Sequence, residues 1–266
     1  MSELNNKVIW LTGASSGIGE AVAYELAKNG AKLILSARRK EELERVKNNC
    51  VAGSQDNIQI LPLDLSEPDT LEAATQSAIQ IFGHVDILIN NGGISQRSMV
   101  HETSLEVYRR IMEVNFFSAI ALTKYILPHF VSRKTGQIAT LSSVAGKVGT
   151  PYRSGYAASK HALHGFFDAV RAEHFKNNVF VTMLCPGVIR TPISYSALTG
   201  DGTPLNKMDD LQSKGKPVDW CAREIVNAIE KRKEEVYIGG KEILLIYIKR
   251  FFPSLFSKII RNVKVR

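Results

Sequence analysis

Short apolar runs and longer amphipathic stretches alternate along this chain from near its start to about residue 240. The runs at 7–12, 32–36, 57–62, 85–90, 136–142, 179–185 and 236–238 are rich in Val, Ile and Leu and are predicted to be strands. Between them apolar positions recur every three or four residues, which predicts helices near 17–29, 39–50, 68–82, 103–133, 151–176 and 219–233. Strands that alternate with helices build a parallel sheet covered on both faces. The expected fold class is therefore α/β: a doubly wound parallel sheet, three layers, one domain. In such sheets ligands gather outside the strand carboxyl ends. The segments 12–19, 36–39, 64–65, 90–93, 142–143 and 186–191 all fall at those ends, so they are expected to form one site.

The first of them, T-G-A-S-S-G-I-G (12–19), stands between a strand and a helix. That arrangement cradles a pyrophosphate on exposed backbone N–H groups at the positive helix end. Gly13 permits the tight turn, Gly17 lets phosphates approach the backbone, and Gly19 lets helix and strand pack closely. With Ser15, Ser16 and Ile18 they form the phosphate-binding turn expected of a Rossmann-type sheet. The spacing is G-x-x-x-G-x-G, not the commoner G-x-G-x-x-G.

Tyr156 and Lys160, in S-G-Y-A-A-S-K-H, are one helical turn apart and share a helix face. An ammonium beside a phenol favours the phenolate and brings its proton exchange toward neutral pH. Ser143 closes the run I-A-T-L-S-S thirteen residues earlier, at a strand end from which a hydroxyl can hold a substrate oxygen. Ser142 is the alternative, and the thirteen-residue interval favours Ser143. This set suits moving a proton on or off an alcohol or carbonyl oxygen. It does not suit acyl transfer, because nothing activates a serine as a nucleophile. A lone Y-x-x-x-K is common on helices. The glycine turn upstream gives this one its meaning.

On those residues the chain resembles the short-chain dehydrogenase/reductase family, from about residue 7 to 240. D-I-L-I-N-N-G-G (86–93) is similar to the family's N-N-A-G stretch, with Gly92 where alanine is usual, and implies cofactor contacts from Asn90 and Gly92. Asn115, in I-M-E-V-N, falls where the family has a fourth catalytic residue. Asp64, followed by Leu65, matches the aspartate that hydrogen-bonds near the adenine. P-G-V-I-R-T (186–191) matches the turn beside the nicotinamide carboxamide, which implies contacts from Pro186, Gly187, Ile189 and Thr191. Glycine spacing and chain length match the shorter, single-domain branch. The segments 35–47, 90–98 and 158–167 are similar to the dehydrogenase/reductase member 7 group. The resemblance implies an oxidoreductase that interconverts a carbonyl and an alcohol by hydride transfer. It gives Asn115 a water of the proton relay and Lys160 a hydrogen bond to the nicotinamide ribose. It also implies a homodimer or homotetramer that pairs through the helices near 103–133 and 151–176.

The end of the second strand addresses the cofactor. NAD-preferring sites place a carboxylate there for the ribose 2′-hydroxyl, whereas NADP(H) needs a cation. Here Ala37 takes the acidic position and Arg38 and Arg39 follow, so NADP(H) is expected. Arg39 can equally begin an exposed helix. A nucleotide-binding catalytic unit is expected over 1–240, with a lid near 192–216. The lid's Ile193, Tyr195, Leu198, Leu205, Met208 and Leu211 either frame a pocket for a steroid-, retinoid- or lipid-like carbonyl compound or pack the lid onto the body.

With 266 residues and 44% hydrophobic content, a large core is expected. No apolar run approaches the roughly 20 residues of a spanning helix, and no apolar leader follows M-S-E-L-N-N-K. Cys50, Cys185 and Cys221 are scattered, as reduced thiols would be, and a cytoplasmic setting is expected. No metal-ligand spacing exists; His161 and His164 are read as packing or surface residues. The net charge of +8 owes much to a tail at 241–266, which carries Lys249, Arg250, Lys258, Arg261, Lys264 and Arg266 among apolar residues. Pro253 is predicted to split it into two short helices. Such a tail fits membrane-surface contact, packing over a dimer partner, or covering the pocket. Nucleic acid is not expected, since no aromatic-basic platform accompanies the charge. Two other functions stay open, a catalytically silent NADPH-binding regulator and a membrane-surface scaffold. The complete Asn-Ser-Tyr-Lys set speaks against the first.

Overall fold

In the computed structural model, which describes residues 2–263, β1 (Val8–Thr12) is buried along its whole length. Its side chains alternate between two cores: Ile9 and Leu11 enter one, Val8 and Trp10 the other. A strand apolar on both faces has to lie between helical layers. From β1 the chain passes through α1 (Gly17–Lys28), β2 (Lys32–Ser36), α2 (Lys40–Asn48), β3 (Ile58–Ile60), α3 (Leu71–Ile81) and β4 (Ile87–Asn90). Next come α4 (Leu105–Met112), α5 (Ser118–Arg133), β5 (Gly136–Leu141), α6 (Ser154–His174) and β6 (Val179–Pro186). It closes with α7 (Asp210–Ser213), α8 (Val218–Glu230), β7 (Glu235–Ile238), α9 (Leu244–Phe251) and α10 (Pro253–Ile260).

The strands pair in the order β3-β2-β1-β4-β5-β6-β7, all parallel. Helices α1, α2 and α8 fill one face; α3, α5 and α6 fill the other. The predicted doubly wound, three-layered sheet is present. Its strand order reverses between β1 and β4, and a crevice opens there.

Three elements differ from the sequence expectation. β3 ends at Ile60, short of residue 62, although Leu61 and Leu63 still donate to the Leu35 and Ala37 carbonyls; Pro62 falls between them, where its missing N–H would face away from β2 at the sheet edge. The predicted helix over 103–133 is α4 and α5 joined by a π-helical turn, Glu113–Phe117. By length and composition the joined helix Leu105–Arg133 is long and apolar enough to cross a membrane. No uninterrupted apolar run marks it, since Arg109, Arg110, Asn115 and Lys124 punctuate it. Its Leu122, Ile126 and Phe130 are buried against the sheet. The lid, finally, is mostly irregular and is pinned by bridges of Leu198 to Gln96 and Pro204, and of Ile189 to Lys216.

The tail forms the two helices predicted, with Pro253 in the first turn of α10, where a missing N–H matters least. Phe256, Leu245, Ile246 and Ile248 pack on Val144 and Val148, just beyond β5. Leu244, Tyr247, Phe251, Phe252 and Leu255 stay exposed. No tail residue lines the crevice, so among the described residues the tail does not cover the pocket. Lys264 and Arg266 lie outside the described residues.

Candidate active site

The crevice is a cavity of about 750 Å³ that runs from the β1–α1 turn past Tyr156 to the lid. Its floor at the β1–α1 turn is built by close backbone approach. Gly13 has φ +65°, and a Cβ there would lie 2.7 Å from the Gly92 Cα; a Cβ on Gly19 would lie 2.2 Å from the Gly13 carbonyl oxygen. Larger residues would force the turn and the β4 loop apart. Ser16 provides no side-chain cap for α1, and Ser15, Ser16, Gly17, Ile18 and Gly19 line the cavity. The first N–H groups of the helix are thus left without a side-chain cap beside the crevice, which fits the phosphates of a dinucleotide. Arg38, Arg39, Asp64 and Leu65 line the adjoining part of the cavity. Arg39 also occupies the N-cap position of α2, so both roles open to it in the sequence are compatible. Gly92 lies under Leu65, whose Cδ1 would be 2.3 Å from an added Cβ.

Of the residues expected to touch the cofactor, Asn90 alone does not line the crevice. Its side chain turns into the buried layer, where Nδ2 is 3.4 Å from the hydroxyls of Thr123 and Thr140. Its neighbour Asn91 lines the crevice instead. Asn91 donates from Nδ2 to the carbonyls of Thr12 and Gly13, at 2.8 and 3.0 Å, and so ties the β4 loop to the glycine turn. Sequence alone could not choose between adjacent asparagines. Strand alternation could have, because Asn90 is the last β4 residue and points to one core.

Across the switch point, β5 delivers Ser142 and Ser143, and α6 delivers Tyr156 and Lys160. The two serines have separate fates. Ser142 is buried; its hydroxyl donates to the Lys160 carbonyl at 3.0 Å and lies 2.9 Å from His164 Nε2. Ser143 is partly open, accepts from the Ala145 N–H at 3.1 Å and donates to the Pro186 carbonyl at 3.2 Å. A rotatable hydroxyl can redirect its proton to another acceptor. Both serines line the cavity, and Ser143 is the less buried of the two.

Lys160 is buried at 4% exposure, with Nζ 5.9 Å from the Tyr156 ring centroid and donating to the Leu141 carbonyl at 2.7 Å. Burial lowers its pKa to about 8. A lysine held this way still carries its charge at neutral pH and has a fixed direction. Asn115 sits in the π-helical turn and does not line the crevice. Its Oδ1 accepts from the Ile94 N–H at 2.8 Å, while Nδ2 donates to the Ile94 carbonyl at 2.9 Å and to Ser159 at 3.0 Å. The π turn aims this one side chain inward and so couples the long helix to the β4 loop and to α6.

Pro186, Gly187, Ile189 and Thr191 line the cavity beyond β6, as expected. Two side chains that sequence reading missed hold that turn. Gln212 Nε2 donates to the Ile189 carbonyl, and Glu242 accepts from the Val188 N–H at 3.0 Å. Behind Ser142, His164 Nδ1 is 3.5 Å from Glu235 Oε2, which Lys147 also meets at 2.9 Å. His164 is thus a packing residue, tied into a buried network. All three cysteines are buried free thiols, with burial raising Cys185 to about 12. Among the described residues no group of His, Cys, Asp and Glu could hold a metal.

The arrangement joins a dinucleotide crevice to a proton-moving Ser-Tyr-Lys set, and comparison with known proteins agrees. The family model for short chain dehydrogenase matches residues 7–201. The human protein "Dehydrogenase/reductase SDR family member 7" is 42% identical, over 95% of this chain and 76% of its own length. A short-chain dehydrogenase structure from Streptomyces avermitilis superposes with TM-score 0.80 at 26% identity, covering 98% of this chain and all of the other. One from Burkholderia phymatum, in complex with NAD, gives TM-score 0.84 at 23% identity, covering 96% of each chain. This chain belongs to the short-chain dehydrogenase/reductase family, an oxidoreductase family that works with a nicotinamide cofactor, and within it is similar to member 7.

Proposed function

We propose that the protein is an NADP(H)-dependent oxidoreductase that interconverts a carbonyl and an alcohol on a largely apolar substrate. The observation that carries this reading is the convergence of Ser143, Tyr156 and Lys160 on the crevice that the glycine turn floors. The nicotinamide, when bound, supplies or accepts the hydride at the substrate carbon. Every other step falls to side chains. Ser143 turns its hydroxyl from Pro186 to the substrate oxygen and steadies the charge that develops there. Tyr156 gives its proton to that oxygen during reduction and takes it back during oxidation. Lys160, dry and fixed by the Leu141 carbonyl, holds its ammonium 5.9 Å from the centroid of the Tyr156 ring, a positive charge beside the group that gives up the proton. Asn115 keeps the Ile94 backbone and Ser159 in register, and so positions the relay without touching substrate.

Two features support the finer parts. Arg38 and Arg39 line the crevice and no carboxylate stands at Ala37, which favours a 2′-phosphate. Ile193, Tyr195 and Leu198 line the lid side of the cavity, whereas Leu205, Met208 and Leu211, all half-buried, do not. Half of the apolar lid set therefore faces the substrate space. The reading is tested by following cofactor oxidation with a panel of hydrophobic ketones and aldehydes, with NADPH and NADH in turn. Turnover with a higher kcat/KM for NADPH is expected. Equal values for the two cofactors would remove the cofactor assignment; no turnover with any carbonyl compound would leave a silent nucleotide-binding protein.

A further inference from the structure

The substrate end of the crevice is unusually cationic. Arg97, Arg110 and Arg153 line the cavity, and its one carboxylate among the described residues, Asp64, belongs to the segment after β3 at the far side of the sheet. Arg97 is 1% exposed and fully engaged. Nε and Nη2 both reach Asp209 Oδ2 at 2.5 Å, and Nη1 donates to Ser95 Oγ at 2.7 Å and the Gln96 carbonyl at 2.6 Å. Asp209 is thus taken by Arg97. Arg153 Nη2 makes only a long ion pair, 3.5 Å, with the same Asp209 oxygen, and its buried Nε and Nη2 have no well-formed hydrogen bond.

Buried Arg97 and the partly buried Arg153, whose side chain is 14% exposed, therefore share one carboxylate, and the wall is left with a surplus positive charge. Its surroundings resist that charge. Burial, with Arg97 adding to it, lowers the Arg153 pKa to about 10. Arg153 also stands immediately before α6, where the helix end is itself positive. A buried charge is costly unless paired, and a guanidinium fork matches a carboxylate in two parallel hydrogen bonds. Arg153 is three residues before Tyr156, and both line the same cavity.

We propose that Arg153 binds substrate, and that the substrate is an oxo acid: an apolar carbonyl compound with a carboxylate a few bonds from the reacting carbon. This rests on the carbonyl-reduction reading and narrows it. The carboxylate is a handle and is unchanged by the reaction. Hydride enters the carbonyl carbon, the Tyr156 proton enters its oxygen, and a hydroxy acid leaves.

The test compares octanoate with octanol by calorimetric titration of the full chain loaded with NADPH. Octanoate is expected to bind about tenfold more tightly or better, and Arg153→Gln to abolish the difference while Arg153→Lys keeps part of it. Equal binding of acid and alcohol to the native protein would overturn the proposal, as would an Arg153→Gln protein that keeps the full preference. If that variant fails to fold, the native comparison decides alone. In turnover, a long-chain γ-oxo acid is expected to exceed its methyl ester in kcat/KM, through a lower KM. Octanoate preference without turnover of any carbonyl compound would sink the reductase reading and keep the anion site. Turnover of neutral ketones with no acid preference would do the reverse.

Discussion

Glu242 accepts a hydrogen bond from the Val188 backbone N–H at 3.0 Å, so the start of the tail holds the turn that follows β6. Gly187 lies beneath it, and a Cβ added there would meet the carboxylate and push the Glu242 side chain aside. The start of the tail, though outside the crevice, therefore supports a turn that lines it. Glu242→Ala leaves the Val188 N–H without its acceptor, at a cost of about 1–3 kcal/mol. NADPH affinity, read by cofactor fluorescence, is expected to fall roughly tenfold or more. An unchanged affinity would show that the turn holds itself.

Membrane contact has to be tested without truncation for the same reason. The outer face of α9 and α10 exposes Phe251 at 68% and Phe252 at 62%, near Lys249, Arg250 and Lys258. We propose this face as a membrane-surface contact. Phe251→Glu with Leu255→Glu is expected to lower retention on anionic vesicles and to leave turnover of a soluble substrate unchanged. Equal retention would dismiss the contact.

The two adjacent serines should separate cleanly. Ser143→Ala is expected to cut kcat by about a hundredfold or more with little change in Tm. Ser142→Ala removes a buried hydroxyl between the Lys160 carbonyl and His164, and is expected to cost about 1–3 kcal/mol of stability. The opposite pattern would exchange their roles.

Much of this was legible in the sequence because the constraints were local. The glycine turn is written in three residues, Gly13 and Gly19 fixed by close contact and Gly17 by its left-handed φ of +59°, and Tyr156 and Lys160 share a helix turn. Asn90 against Asn91 was not legible, because the choice depends on which face of a strand end looks into the crevice. Arg97, Arg153 and Asp209 were invisible for another reason. They come from the β4 loop, the start of α6 and the lid, and nothing in any one segment announces that a single carboxylate is shared. The tail's second role was hidden likewise, since Glu242 reads as an ordinary acidic residue until its partner at Val188 is known.

Lys160 gives a pH signature. Its folded pKa of about 8 lies below the unfolded value of 10.5. Below about 8 both states are charged and the cost of burying the ammonium is paid in full. Between the two values the folded protein has shed a proton that the unfolded chain retains, so stability rises with pH, by about 3 kcal/mol in all. Urea unfolding of the cofactor-free protein between these pH values is expected to show that rise, and Lys160→Met to lack it. Parallel curves for the two proteins would contradict the burial of a charged lysine.

The Tyr156 phenol carries the central claim, and Tyr156→Phe tests it most directly because it deletes one oxygen and little else. Single-turnover reduction of the best carbonyl substrate, with NADPH already bound, is the measurement. We expect unchanged NADPH affinity and a hydride-transfer rate lower by about two to four orders of magnitude. A variant that binds NADPH normally and keeps most of the native rate would contradict the account.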